Sequence, residues 1–151
     1  MATIKPTFTL TANSASSTAD AGPLSIALSL STTDSLAVDR VNAEIITLST
    51  DHILLFDGSA LAAKDSDANI AGTHGMWIYM KNVTGSDLDI YIGVVDDGGL
   101  TGEINANDNA NRLFTLKQDE FAFFPFDYTR DITVDAEGAA KLEYFTFNRA
   151  I

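Results

Sequence analysis

The stretch RLFTLKQDEFAFFPF, Arg112–Phe126, decides the fold, because two apolar runs flank one polar turn in it. The runs are Leu113–Leu116 and Phe121–Phe126, and Lys117–Glu120 lies between them. Two short strand-like runs joined by about four polar residues are typical of a β-hairpin. No other segment holds as much aromatic surface in as few residues. The stretch predicts a hairpin and an all-β core built against it.

The second run is aromatic on both of its faces. In a strand, successive side chains point to opposite faces, so Phe121 and Phe123 share one side while Phe124 and Phe126 share the other. Both sides therefore need a cover. One cover is the core of the domain, and the other is a second layer or a neighbouring subunit.

Period-two alternation recurs along the chain. It runs through Pro6–Ala12, Leu24–Ser31, Met76–Val83 and Leu88–Val94, and the last two, joined by a polar turn, predict a second hairpin. Helix is limited to one turn, at Leu61–Lys64. With turn signals spaced about ten residues apart, we expect an antiparallel β-sandwich, jelly-roll-like, of about nine to ten strands.

A chain of 151 residues is expected to form a single domain. Residues 1–22 are interpreted as an N-terminal strand and flexible arm that could pair with a neighbour's sheet edge, and residues 23–151 as the β-sandwich. Neither a signal peptide nor a membrane span is expected. The chain lacks cysteine, which suits folding in a reducing cytoplasm.

The charge balance is strongly acidic, with 21 Asp and Glu against 9 Lys and Arg and a formal net charge of −12. Nucleic-acid binding depends on cationic side chains that displace counterions from phosphates. Adhesion to anionic membranes needs the same positive charge. We therefore expect neither nucleic acid nor a membrane as a partner.

The sequence shows no signature of catalysis. It has no Gly-x-Ser-x-Gly elbow, and its two histidines, His52 and His74, are interpreted as surface or rim residues. The carboxylates Glu44, Glu103, Glu120 and Glu143 show no spacing that would place a pair across a cleft. We therefore expect no enzymatic activity and no cofactor.

One acidic segment begins like a calcium-binding loop. Asp65–Asn69 offers oxygen donors at alternate positions, but Ile70 stands where such a loop needs glycine and Met76 where it needs a bidentate glutamate. The Asp- and Asn-rich stretch 96–111 is likewise interpreted as a solvated turn region. No metal site is predicted.

An outward aromatic row is the remaining singular feature. Trp77, Tyr79 and Tyr91 fall opposite the apolar faces of their strands. Such a row can stack sugars or bases, but burial under a second layer or in a subunit interface is the preferred interpretation. The interface candidates are Phe8, Leu10, Trp77, Tyr79, Tyr91, Phe124 and Phe126.

Two resemblances bear on function. KQDEFAFFP, Lys117–Pro125, resembles the strand-turn-strand of cupin jelly rolls, although the His-x-His…Glu metal cluster of cupin enzymes is missing. GMWIYMKN at Gly75–Asn82, the strand Leu88–Val94 and Leu116–Pro125 together resemble small β-rich virion proteins of tailed bacteriophages. Here Gln118-Asp119 replaces the commoner Pro-Gly turn. The resemblance spans roughly 75–147 and implies no catalytic residues.

The resemblance implies a capsid decoration or cement protein, assembled in the bacterial cytoplasm and bound to the capsid exterior. Its partners would be the major capsid protein and copies of itself, with a trimer favoured by the local threefold axes of icosahedral shells. A carbohydrate-binding or tail-associated module using Trp77, Tyr79 and Tyr91 is the alternative. A small hydrolase or cupin-like enzyme that uses His52, His74 and carboxylates is a third hypothesis.

Overall fold

The computed structural model describes residues 2–12, 26–31, 36–58, 75–95, 111–126 and 130–149. In these ranges the chain forms eleven strands. They are β1 (Ala2–Ile4), β2 (Thr7–Ala12), β3 (Ile26–Ser31), β4 (Leu36–Thr47), β5 (Ile53–Phe56), β6 (Met76–Asn82), β7 (Ile90–Val95), β8 (Arg112–Leu116), β9 (Phe121–Phe126), β10 (Asp131–Ala136) and β11 (Lys141–Arg149).

The strands form two main sheets and one separate hairpin. Sheet A has the order β1-β4-β11-β6-β9, sheet B has the order β5-β10-β7-β8, and β2 pairs with β3 alone. Every pairing is antiparallel. The all-β, antiparallel sandwich predicted from the alternation is confirmed.

The eight strands from β4 to β11 pair in a nested order. β4 pairs with β11, β5 with β10, β6 with β9 and β7 with β8. A long antiparallel ribbon folded in this way and rolled into two facing sheets is the topology of a jelly roll. Two further pairings, β11 with β6 and β10 with β7, close each sheet across the roll.

The core lies between the two sheets. Alternation on β6 sends Met76, Ile78 and Met80 inward, each at most 1% exposed. They meet Ile92 and Val134 from sheet B, both fully buried. Apolar side chains fill the interior, and the alternation on β6 turns its other residues toward the outer face of sheet A.

The two hairpins predicted from the sequence are wrong. β8 belongs to sheet B and β9 to sheet A, and β6 and β7 are divided between the sheets in the same way. Each polar turn therefore carries the chain across the sandwich instead of back along one sheet. Alternation and turn residues predict where each strand ends. They do not predict its partners, because in a jelly roll most strands pair with strands that are distant in sequence.

The first strand is at the edge of sheet A, where β1 pairs with Leu36–Val38 of β4. The second strand, β2, confirms the strand predicted over Pro6–Ala12. The loop predicted at 13–22, the helical turn at 61–64, the calcium-like segment 65–69 and nearly all of the acidic stretch 96–111 lie outside the described residues.

Candidate functional site

Six aromatic side chains share the outer face of sheet A. The face that β6 turns away from the core carries Trp77 and Tyr79, and the neighbouring strands add aromatics in register. Phe145 and Phe123 flank Tyr79, while Phe147 and Pro125 flank Trp77. We call this surface the aromatic face; its members are Trp77, Tyr79, Phe121, Phe123, Phe145 and Phe147.

The rings of the aromatic face contact one another across strands. Trp77 stacks on Phe123 with centroids 5.3 Å apart and planes at 5°. Tyr79 stacks on Phe121 at 6.0 Å and meets Phe145 edge to face at 5.6 Å. Such pairs add stabilisation beyond the area that they bury and hold the rings in fixed positions. The result is a rigid apolar surface.

The aromatic face reaches solvent at both of its sides. Phe121 on β9 is 54% exposed and Phe123 is 37% exposed, while Val41 and Ile45 on β4 are 48% and 60% exposed. Burial of Tyr79 by the surrounding rings, together with the charge of Glu143, raises the pKa of its hydroxyl. Tyr79 is therefore partly desolvated within a surface whose two sides remain open.

The N-terminal segment lies over part of this surface. Residues 4–9 and five members of the aromatic face, all except Phe145, line a cleft of about 940 Å³. Phe8 lines it and remains 47% exposed. The segment does not fill the space above the rings, so apolar surface stays accessible beneath it.

The interface candidates do not all lie on one surface of the protein. Trp77 and Tyr79 lie together, and Phe8 lies across the cleft from them. The side chain of Leu10 is outside the described part of the chain. Phe126 is 9% exposed within the core, and Phe124 packs against that core. The accessible phenylalanines of β9 are therefore Phe121 and Phe123, on the opposite side of the strand from the two candidates.

Tyr91 does not belong to the row predicted for it. It lies on β7 in sheet B and is 5% exposed, because the Arg112 guanidinium covers its ring at 4.3 Å. Its hydroxyl donates to Glu137 at 2.6 Å. Burial, and then the bond to Glu137, raise the pKa of Tyr91 to about 12. The prediction of one outward row was wrong because β6 and β7 are in different sheets.

Asn82 is a buried polar residue that sequence reasoning missed. Its side-chain amide donates to the carbonyls of Leu88 at 2.8 Å and Leu116 at 3.0 Å, and its oxygen accepts from the amide of Thr84 at 3.0 Å. Asn82 is fully buried. It joins the β6–β7 turn to the end of β8, where the chain begins its crossing to the aromatic face.

Only part of the residue set of the hydrolase hypothesis lies in the described ranges. His52 is half-buried just before β5, and His74 and Glu103 are outside the described ranges. Within those ranges, no group of three or more His, Asp or Glu residues could hold a metal ion. No helix in this part of the chain is long and apolar enough to cross a membrane.

Comparison with known proteins gives one structural likeness. No family model matches the chain, and no curated protein matches it. A solved structure titled "Bacillus endospore appendages form a novel family of disulfide-linked pili" has a TM-score of 0.42 and 13% identity. The match covers 82% of this chain and 98% of that one. The present chain contains no cysteine.

Proposed function

We propose that this protein is a non-enzymatic structural component of a tailed-bacteriophage virion, acting as a decoration or cement protein on the capsid exterior. The observation that carries the proposal is the aromatic face of sheet A. Six contacting aromatic rings with open sides at Phe121 and Ile45 form a surface suited to protein–protein contact. Its partners would be the major capsid protein and further copies of this chain.

The mechanism is burial of apolar surface at junctions between subunits. Rings held in place by their neighbours lose little conformational entropy on binding, so more of the burial free energy appears as association. Every contact made in the intact shell must be broken when the shell ruptures. Decoration of this kind raises the rupture temperature without any chemical step.

The charge of the chain supports an exterior position. A protein with a net charge of −12 would be repelled by nucleic acid packaged inside a capsid. On the outer surface the protein would not face that nucleic acid. Beside the aromatic face, Lys81 and Glu143 carry opposite charges and are register partners on β6 and β11. Acidic surface elsewhere keeps the particle soluble while this face makes contact.

The test is co-sedimentation of the purified protein with capsids that lack it, followed by thermal rupture of the decorated shells. We expect saturable binding and a higher rupture temperature. Phe121→Ser should weaken binding at least tenfold, whereas Leu113→Ser should not. Leu113 is a matched control, because it is 56% exposed and lies on sheet B. Capsids that neither bind the protein nor gain stability would refute the proposal.

A carbohydrate-binding module remains the second candidate, because the cleft contains Trp77 and has a volume typical of ligand pockets. Its lining includes Lys5, Thr7 and Thr9, whose ammonium and hydroxyl groups can hydrogen-bond sugar hydroxyls, but no carboxylate and no side-chain amide. Most of the other lining residues are apolar, which favours an apolar protein partner. Glycan-array binding that is abolished by Trp77→Ala would instead establish the sugar-binding role.

A further inference from the structure

We infer that the free edge of β9 binds an extended segment of the partner protein as an added antiparallel strand, and that this segment carries a basic residue between two apolar ones. The inference rests on the proposed function, which supplies a protein partner for this side of sheet A, and it adds the chemistry of the bound segment. β9 is the last strand of sheet A, so its outer main-chain groups have no strand beside them in the described part of the chain.

The main chain of β9 turns alternate residues toward this open edge. The amide of Asn82 donates to the carbonyl of Glu120 at 3.0 Å, so the main chain of Glu120 faces β6. Hydrogen-bonded positions alternate in an antiparallel ladder, which leaves Phe121, Phe123 and Pro125 facing outward. Pro125 fits that direction, because its missing N–H removes nothing from the pairing with β6. Phe121 and Phe123 each offer one donor and one acceptor to an added strand.

The edge of β9 is the most regular edge of the two main sheets. Its six residues pair with β6 without a register shift. At the other edges, β1 has three residues, β5 has four and a register shift against β10, and the pairing of β8 with β7 is shifted as well. Irregularities of this kind disrupt the ladder and bend the strand, so an added strand fits best beside β9. Every pairing in sheet A is antiparallel, and the added strand continues that pattern.

Two outer positions of the added strand favour apolar side chains. Residues opposite Phe121 and Phe123 would place their side chains on the outer face of sheet A, beside these two rings. Both rings are exposed, Phe121 more than Phe123. Directly opposite side chains on neighbouring strands contact each other, and aromatic rings pair well with β-branched residues. The segment is therefore expected to carry apolar residues at two alternate positions.

The position between them faces a groove that combines apolar and acidic groups. The groove lies between β8 and β9 and has a volume of about 500 Å³. Phe114, Leu116 and Ala122 are among its apolar lining residues, and Asp119 and Glu120 supply carboxylates. A lysine or arginine suits this lining, because its methylene stem packs on apolar atoms while its charged head reaches a carboxylate.

Charge favours a basic segment over another copy of this chain. Glu120 accepts a hydrogen bond from the main-chain amide of Lys117 at 2.9 Å, and it forms no salt bridge within the described ranges. Asp119 lies 3.9 Å from Lys81 and is largely exposed. In the sequence, Asp127 directly follows β9. Two such edges, each flanked by acidic residues, repel one another, whereas a segment with a basic residue is attracted.

The experiment is an NMR titration of the isotope-labelled full chain with a capped peptide of sequence threonine-valine-lysine-valine-threonine. We expect saturable binding with the largest amide shifts at Phe121 and Phe123. A peptide with glutamate in place of lysine should bind at least tenfold more weakly. Glu120→Gln should reduce this preference severalfold. Asp51→Asn, which removes the same charge from an exposed residue after β4, three strands from β9 across sheet A, should leave the preference unchanged.

Methylation of the peptide main chain tests strand pairing separately from side-chain contacts. Methyl groups on both valine nitrogens would remove the N–H groups that donate to the carbonyls of Phe121 and Phe123, so binding should be lost. The nitrogen of the central lysine points away from β9 in the same arrangement. A methyl group there should leave binding nearly unchanged.

Four outcomes would overturn the inference: no binding, equal binding of the lysine and glutamate peptides, a preference for lysine that survives Glu120→Gln, or binding that survives methylation of both valines. A peptide that fails to bind a protein that still decorates capsids would leave the proposed function standing. A peptide that binds as expected to a protein that never binds capsids would refute that function and retain the inference.

Discussion

Replacing Asn82 by alanine should destabilise the fold more than most single substitutions. The change removes two donated hydrogen bonds, to the carbonyls of Leu88 and Leu116, and one bond accepted from Thr84. Asn82 is fully buried, so water cannot readily replace the amide. The penalty includes both the lost bonds and the buried polar groups left without a partner.

The magnitude follows from the three bonds. Each hydrogen bond contributes about 1 kcal/mol net, and each buried group left unsatisfied costs about 1–3 kcal/mol. Allowing for partial relaxation, we expect a loss of about 4 kcal/mol against a total stability of about 5–15 kcal/mol for a domain of this size. Asn82→Ala should therefore leave a marginally stable protein.

Equilibrium urea unfolding, followed by tryptophan fluorescence, measures this effect. With an m-value of about 2 kcal/mol/M, the unfolding midpoint should fall by about 2 M. Asn111→Ala is the matched control, because Asn111 is exposed and should lose less than about 0.5 kcal/mol. A loss under about 1 kcal/mol for Asn82→Ala, with an unchanged m-value, would refute the role assigned to this amide.

Three further substitutions test other parts of the fold. Ile92→Ala should cost about 3 kcal/mol in urea unfolding because Ile92 is fully buried in the core; a loss below about 1 kcal/mol would contradict that packing. Asp119 has a φ of 63°, so Asp119→Val should destabilise by about 1–2 kcal/mol while Asp119→Gly stays near neutral; equal effects would exclude backbone strain. Burial and a hydrogen bond donated to Glu44 raise the pKa of Tyr144, on β11, to about 12, as burial and Glu137 do for Tyr91. The stability that these tyrosines contribute is therefore fully present below about pH 10 and declines as pH rises through about 12. Tyr91→Phe and Tyr144→Phe should flatten this decline in alkaline unfolding titrations, and an unchanged slope would contradict it.

Local alternation could be read from the sequence because it depends only on near neighbours in the chain. The inward direction of Met76, Ile78 and Met80 followed from the two-residue period of a strand. The division of Phe121 and Phe123 from Phe126 followed from the same rule. Exposure then depends on what lies opposite each face, and that is a property of the whole fold.

Strand pairing could not be read in the same way. Nothing in the polar turn between β6 and β7 distinguishes a turn that folds back from one that crosses to the other sheet. The sequence therefore places Tyr91 in one row with Trp77, although the two residues belong to different sheets. Asn82 was also hidden, because an asparagine at a strand end usually indicates a solvated turn. Its three backbone partners become visible only when the β6–β7 turn meets the end of β8.

The nested pairing of the ribbon also constrains how the chain folds as it is synthesised. The main-chain partners of β5, β6 and β7 all lie at or beyond Arg112. These strands emerge from the ribosome before their partners exist, and β6 presents its aromatic residues during that interval. When β7 pairs with β8 first, β6 and β9 are brought close together. Each pairing then shortens the loop of chain that the next pairing must close, which limits the entropy cost of joining distant segments. Deletion of β11 would remove the strand that pairs with both β4 and β6, and sheet A would then lack its link between them.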